Sequence, residues 1–156
     1  MITIERIAPS LPGFDALRAE ACAEGYNFLD TLMREWETGA NRFDAPGETL
    51  LGRFEGGKFV EAHFVAIGGL NRDPFAEQPE IGRLRRIYVR AAWRGKGIGA
   101  MLVTALVMQA RGHFRCVRLR AENPAAARLY ERMGFLPIVN PDATHILHFD
   151  SAARRR

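Results

Sequence analysis

Three glycines at every second position are the residues of this chain whose spacing most directly suggests chemistry. Gly95, Gly97 and Gly99 are flanked by Arg94 and Lys96, and an apolar segment of helical periodicity follows at once. Glycine lets backbone N–H groups approach a ligand closely, and a helix N-terminus favours negative charge. A tight turn between a strand and a helix explains one glycine well and three poorly. The spacing therefore predicts a cradle for an anionic group, most naturally a pyrophosphate.

Two phosphate-binding patterns can be compared with this stretch. The Walker pattern requires serine or threonine after its lysine, but Lys96 is followed by glycine, so this pattern fails. The dinucleotide pattern G-x-G-x-x-G/A is met by Gly95, Gly97 and Ala100, and Glu122 lies about where a ribose-binding acid is expected. However, a doubly wound domain needs several β-α-β units, and this chain offers one. A small dinucleotide-binding oxidoreductase is therefore the weaker alternative.

A second motif lies one predicted helix and one predicted strand after the glycines. Residues 123–135 contain Asn, Ala, Tyr and Gly-Phe in the arrangement N-x-x-A-x-x-x-Y-x-x-x-G-F. Together with Arg94-x-x-Gly97-x-Gly99, this block resembles the acyl-CoA loop and C-terminal block of the GNAT superfamily of N-acetyltransferases. The two motifs occur in the order typical of that family. The resemblance covers residues 82–138 well and the part before them only in outline.

The resemblance implies transfer of an acetyl group from acetyl-CoA to a primary amine by direct attack in a ternary complex. The backbone N–H of Val89 would stabilise the oxyanion that develops on the thioester carbonyl. Tyr130 would be the general acid for the departing CoA thiolate, a role suited to a phenol, although its ring also lies on a helix face that should pack against the sheet. The residues implied in cofactor binding are Ile87, Tyr88, Val89, Arg94, Gly95, Lys96, Gly97, Ile98, Gly99, Ala100, Asn123, Ala126 and Tyr130.

The base that takes the proton from the amine is not evident from the sequence. Glu61, Asp73, Glu77 and Glu80 lie in or before the central strands, and each is more often a surface charge than a catalytic group. Cys116 has no evident activating partner, so it is interpreted as a buried inert thiol and covalent catalysis is not indicated.

Three arginines lie on the predicted strand that leads to the glycine loop. Alternation along a strand should place Arg83 and Arg85 on one face and Arg86 on the other. We expect at least one of them to face the acceptor cleft. The acceptor is then a small-molecule or peptide amine, with preference for one that carries a carboxylate.

The elements that must position these groups follow from hydrophobic periodicity and turn residues. We predict an α/β domain over residues 1–150, with a mixed, mainly antiparallel sheet flanked by helices and a basic tail at 151–156. The predicted strands are 2–7, 49–54, 58–67, 83–89, 116–121, 135–139 and 144–149. The family resemblance implies that strands 83–89 and 116–121 form a splayed parallel pair. The predicted helices are two within 14–36, interrupted near Gly25, one from 98 to Gly112, and one at 124–133 capped by Asn123. The third helix should bury Ile98, Met101, Leu102, Ala105, Leu106 and Gln109.

Composition restricts the remaining classes of function. The 156 residues are 47% hydrophobic, enough for one core, and carry a net charge of +4. Of the 22 basic residues, all but Lys58 and Lys96 are arginine. Arginines spread over a solvated surface explain this bias at least as well as nucleic-acid binding does. A CoA-binding regulatory or nucleic-acid-binding module without turnover is the alternative from another class.

Cysteine content and apolar runs indicate the expected environment. Cys22 and Cys116 occur in unrelated contexts, so neither a disulfide framework nor a metal site is predicted. No uncharged apolar run approaches the roughly 18 residues of a membrane span. We therefore expect a cytoplasmic protein that does not enter the membrane, and we leave the oligomeric state open, a homodimer included.

Overall fold

Strands and helices of this chain assemble into one seven-stranded sheet with helices on both faces. A computed structural model describes residues 2–56 and 64–149. The strands are β1 (Ile2–Arg6), β2 (Thr49–Glu55), β3 (Phe64–Arg72), β4 (Ile81–Val89), β5 (Cys116–Leu119), β6 (Leu136–Pro137) and β7 (His145–His148). The helices are α1 (Phe14–Ala23), α2 (Phe28–Thr38), α3 (Ile98–Arg111) and α4 (Pro124–Arg132). The strand order is β1-β2-β3-β4-β5-β7-β6, in which β4 and β5 are parallel and the other described pairs are antiparallel. The predicted fold class is confirmed.

Most predicted element boundaries agree with the structure to within a few residues. Gly25, with φ +92°, separates α1 from α2, and Gly39, with φ +81°, ends α2. The first part of the predicted strand 58–67, with Glu61, falls in residues 57–63, which lie outside the described part of the chain. The described strand β3 continues past the predicted end at residue 67 to Arg72. The two closing strands β6 and β7 are shorter than predicted.

Apolar clusters on both faces hold the helices against the sheet. Buried Leu and Phe side chains of α1 and α2 pack on one face, and α3 packs on the other. Each fully buried large side chain contributes roughly 1.5–3 kcal/mol. The buried residues of α3 are Ile98, Leu102, Val103, Leu106, Val107 and Ala110. The predicted stripe is therefore wrong at Met101, which is 48% exposed, and at Gln109, which is also exposed.

The parallel pair separates soon after it begins. β4 and β5 are paired from Ile81 opposite Cys116 to Arg83 opposite Arg118, and β4 then continues to Val89 without β5 beside it. A gap opens between the two strands beyond this point. This is the splayed pair that the family resemblance implied.

A β-bulge at Arg86 changes which way the arginines of β4 point. The β3–β4 register shifts here, and Arg86 has φ +58°. An extra residue in one strand breaks the alternation of side chains. Arg86 therefore pairs with Glu35 of α2 at 3.0 Å and lines the same cavity as Arg83 and Arg85. The prediction that Arg86 lies on the opposite face is wrong for this reason.

Candidate active site

The gap beside β4 opens into a cavity of about 780 Å³. Its walls are the end of β4, the glycine loop, the first turn of α3, helix α4, and two aromatic side chains, Tyr26 and Phe28. Of the thirteen residues predicted to bind the cofactor, all but Lys96 line this cavity. The Lys96 ammonium lies 5.0 Å from the centre of the Trp93 ring instead.

The glycine loop directs backbone donors into this cavity. Gly95 and Gly97 have φ of +77° and +79°, a left-handed conformation that favours glycine, so backbone geometry accounts for two of the three glycines. Gly97 is the N-cap of α3 and no side chain caps the helix there. The first N–H groups of α3 have no intrahelical acceptor, and Ile98, Gly99 and Ala100 line the cavity. This end of α3 can therefore bind an anion.

Arg94 ties the glycine loop to α1. Its guanidinium donates to both carboxylate oxygens of Glu24, at 2.6 and 2.8 Å, and its Nε donates to the carbonyl of Val89 at 2.9 Å. The hydrogen bonds from Arg94, with one from Tyr88, lower the pKa of Glu24 to about 2. Arg94 lines the cavity, and three of its five N–H donors are engaged by the end of α1 and by β4.

Tyr88 also connects β4 to α1 and to the residue that follows α1. Its hydroxyl donates to Glu20 at 2.9 Å and also contacts Glu24, and its buried ring packs beside Phe28. Burial and these two carboxylates raise the pKa of Tyr88. The phenol therefore faces α1.

The N–H of Val89 points into the gap between the strands. Val89 is opposite Ala66 on β3, and the next residue, Arg90, donates its N–H to the carbonyl of Val65 at 2.9 Å. In an antiparallel ladder successive N–H groups alternate in direction, so the Val89 N–H is directed away from β3. It lies on the edge of β4 that β5 has left.

Asn123 begins α4 and links it to the opposite wall of the cavity. Its Oδ1 accepts from the N–H of Ala126 at 2.8 Å, and its Nδ2 donates to the hydroxyl of Tyr26 at 3.2 Å. Pro124 occupies the first position of the helix. The predicted N-cap is confirmed, and the same side chain also connects two cavity walls.

A second, smaller cavity of about 260 Å³ adjoins the first. The two cavities share the lining residues Phe28, Ile87, Glu122 and Tyr130. Glu122 and Tyr130 are the titratable side chains among these four. The junction between the cavities therefore has one carboxylate and one phenol.

Tyr130 is held at this junction by packing. The residue is 6% exposed, and its ring meets that of Phe135 edge-on at 5.7 Å. Burial, with a smaller contribution from the charge of Glu122, raises the pKa of Tyr130 to about 12. Within the described residues its hydroxyl has no hydrogen-bond partner, which leaves it available to a ligand.

Three of the sequence candidates for the base, Asp73, Glu77 and Glu80, lie away from this junction. The carboxylate of Asp73 is fully buried and pairs with Arg118 at 2.7 Å and Arg83 at 3.4 Å. Glu77 and Glu80 are exposed and line neither cavity. Glu122 has the better position. Glu122 lies in the short segment between β5 and α4, directly before the N-cap Asn123, and this position in the sequence was the signal that could have identified it.

Two further features bear on the predicted environment. Cys116 is buried as predicted, lines neither cavity, and has its thiol pKa raised by burial. Across residues 2–56 and 64–149, none of the helices is long and apolar enough to cross a membrane, and no three His, Cys, Asp or Glu side chains are grouped to share a metal ion.

Comparison with known proteins identifies the family. The sequence model of the acetyltransferase (GNAT) family matches residues 14–135. The chain is 33% identical over 119 residues to the N-alpha-acetyltransferase RimI of Mycobacterium tuberculosis. This alignment covers 75% of this chain and 72% of that protein.

Solved structures share the fold over almost the whole chain. A protein from Exiguobacterium sp. 255-15, assigned as an acetyltransferase, superposes with a TM-score of 0.83 at 24% identity and covers 98% of this chain and 95% of its own. A mutant of the toxin AtaT, bound to acetyl-CoA and the C-terminus of the antitoxin AtaR, superposes with a TM-score of 0.67 at 18% identity, over 94% of this chain and 92% of its own. This chain belongs to the GNAT family of acetyltransferases.

Proposed function

We propose that this protein transfers the acetyl group of acetyl-CoA directly to a primary amine, and that the transfer takes place where the two cavities meet. The observation that carries the proposal is the junction itself. A phenol and a carboxylate lie there, between a cavity that ends at the free N–H groups of α3 and a second cavity on the other side. The relatives agree with this assignment, since RimI is an N-alpha-acetyltransferase and AtaT was solved with acetyl-CoA.

The larger cavity is suited to the CoA portion of the substrate. The first N–H groups of α3 would hold the pyrophosphate, and the unpaired edge of β4 would hold the pantetheine arm. The Val89 N–H would then donate to the thioester carbonyl oxygen, where negative charge develops during attack. The acetyl group would lie at the junction.

The junction residues can perform the two proton transfers. The amine must lose a proton to attack, and Glu122 would accept it, directly or through a water molecule. A new C–N bond forms as the C–S bond breaks, and Tyr130 would give its proton to the leaving thiolate and regain one from solvent. Because its pKa is raised to about 12, Tyr130 stays protonated at neutral pH and is available as the acid.

Initial rates measured against both substrates test this proposal. A ternary complex gives intersecting reciprocal plots and one free CoA thiol for each N-acetylated product, and intact-protein mass spectrometry shows no acetylated enzyme. Parallel plots, or an acetyl-enzyme formed in the absence of amine, would contradict direct transfer. Release of no thiol across a broad amine panel would favour a module without turnover.

The oxidoreductase alternative has a separate test. Only a ligand that binds the native state raises the melting temperature. We expect acetyl-CoA and CoA to stabilise the protein and NAD(P) to leave it unchanged.

A further inference from the structure

The smaller cavity, which lies on the acceptor side of the junction, is lined by four arginines. Three of them are held by groups of the protein itself. Their partners are the carboxylate of Asp73 for Arg83 (3.4 Å), the carboxylate of Glu35 for Arg86 (3.0 Å) and the carbonyl of Pro141 for Arg120 (2.7 Å).

Arg85 is different from these three. Its guanidinium makes no hydrogen bond or ion pair with any residue in the described parts of the chain, although it lines the same cavity. Burial, with the nearby charge of Arg86, lowers the pKa of Arg85 to about 10, so the group is still protonated at neutral pH. Arg85 is half-buried, and its guanidinium nitrogens still reach the open cavity. An anionic group of a ligand can therefore approach it, and an ion pair in such a partly desolvated site is stronger than one on an open surface.

The charges around the cavity indicate the sign of that ligand. Glu122 is the acidic residue that lines the cavity, and it is exposed at the junction, whereas the four arginines surround the rest. A polycationic acceptor would be repelled by this wall. The volume of about 260 Å³ lies just below the roughly 300–1,000 Å³ of common ligand pockets, which favours a small group.

We propose that Arg85 binds a carboxylate of the acceptor, and that the acceptor is a primary amine with a carboxylate a few bonds from the amine nitrogen. This inference rests on the proposed function and names the substrate class of the same site. The carboxylate can belong to a free amino acid or to the acidic first residue of a peptide. A planar guanidinium suits this role because it can donate two parallel hydrogen bonds to a carboxylate.

Matched acceptors test the inference and distinguish the two sources. One pair is an amino acid and its α-amide, and the other is a peptide that begins with aspartate and the same peptide beginning with asparagine. Because charge-assisted hydrogen bonds are stronger than neutral ones, we expect kcat/KM to be about 10- to 100-fold higher for the acid of at least one pair. The pair that shows the preference identifies the source.

Variants of Arg85 test whether this side chain is the cause of the preference for the acid. Arg85→Ala should raise KM for the acid by the same factor and leave kcat and KM for the amide unchanged, whereas Arg85→Lys should retain part of the preference. Arg72→Ala, which removes an exposed arginine from β3 that lines neither cavity, is the control and should change nothing. Arg85→Met should melt close to the wild-type temperature, because the substitution removes no side-chain hydrogen bond or ion pair within the described residues. A loss of folding can therefore be told from a loss of recognition.

Two outcomes overturn the inference. One is equal kcat/KM for acid and amide in both pairs, and the other is an equal loss for both members in Arg85→Ala. If the wild type acetylates no amine, the proposed function fails, and calorimetric binding of the acids and amides to the CoA-bound protein decides the inference instead. Tighter binding of an acid that is lost in Arg85→Ala supports it, and indistinguishable binding refutes it.

Discussion

A single methyl group added at Gly99 should stabilise the free protein and weaken CoA binding. Gly99 lies in the first turn of α3, and a Cβ there would sit 3.6 Å from both Leu129 and Val89, an ordinary contact distance. Replacing a helical glycine by alanine without a clash stabilises a protein by about 0.5–1 kcal/mol. For a chain of this size that is a rise in melting temperature of about 1–4 °C.

The same methyl would occupy the space through which a pyrophosphate reaches the N–H groups of α3. We expect Gly99→Ala to raise the Kd for CoA at least tenfold, a loss of about 1.4 kcal/mol. Differential scanning calorimetry of the free protein and titration calorimetry with CoA measure the two effects separately. Wild-type affinity in a stabilised Gly99→Ala protein would refute the assignment of this helix end to the pyrophosphate.

Gly97→Ala provides the contrasting variant. Gly97 has φ +79°, and a Cβ added there would have nothing within 4 Å, so conformation and not space is limiting. Forcing alanine into the left-handed region costs about 1–2 kcal/mol. The free protein should therefore melt at a lower temperature than wild type, opposite in sign to Gly99→Ala. A melting temperature equal to that of wild type would contradict the loop conformation described above.

Three further variants test the roles of other side chains. Tyr130→Phe should lower kcat by about 10²–10⁴-fold with little change in melting temperature, and an unchanged kcat in steady-state assays would exclude the acid role. Asp73→Asn should lower the free energy of unfolding in urea by about 3–5 kcal/mol, because two buried arginines lose their carboxylate, and a loss below 1 kcal/mol would contradict this. The pKa of Glu24 is lowered to about 2 in the folded protein, so its contribution is present above pH 4.5 and is lost as the pH falls toward 2. The melting temperatures of wild type and Glu24→Gln should therefore converge between pH 5 and 2, and a constant difference would refute the ion pair with Arg94.

Features set by neighbouring residues in the chain were predictable from the sequence. The glycine loop before α3, the Asn123 cap and the break between α1 and α2 at Gly25 each depend on local backbone preferences. The left-handed conformation of Gly95 and Gly97 itself was not predicted, since the glycines were assigned to close approach of a ligand. The splay of β4 from β5 followed from the family resemblance. These features position the larger cavity, so most of its lining residues were identified in advance.

Features set by distant residues were not predictable in this way. The bulge at Arg86 depends on how β3 pairs with β4, and alternation within one strand carries no information about that pairing. Arg94 is engaged by Glu24, 70 residues away in the chain, and Arg118 finds Asp73 across 45 residues. Such partners appear only when the fold brings them together. The isolation of Arg85 is likewise visible only once the partners of its neighbours are known.

Transfer of a labelled acetyl group tests the central claim most directly. Acetyl-CoA carrying the label in its acetyl group is incubated with the protein and an amine acceptor, and both the labelled N-acetyl product and the free CoA thiol are quantified. The proposed chemistry predicts equal amounts of the two, formed only when enzyme, acetyl-CoA and amine are present together. Thiol release without labelled product, or label retained on the protein, would contradict it.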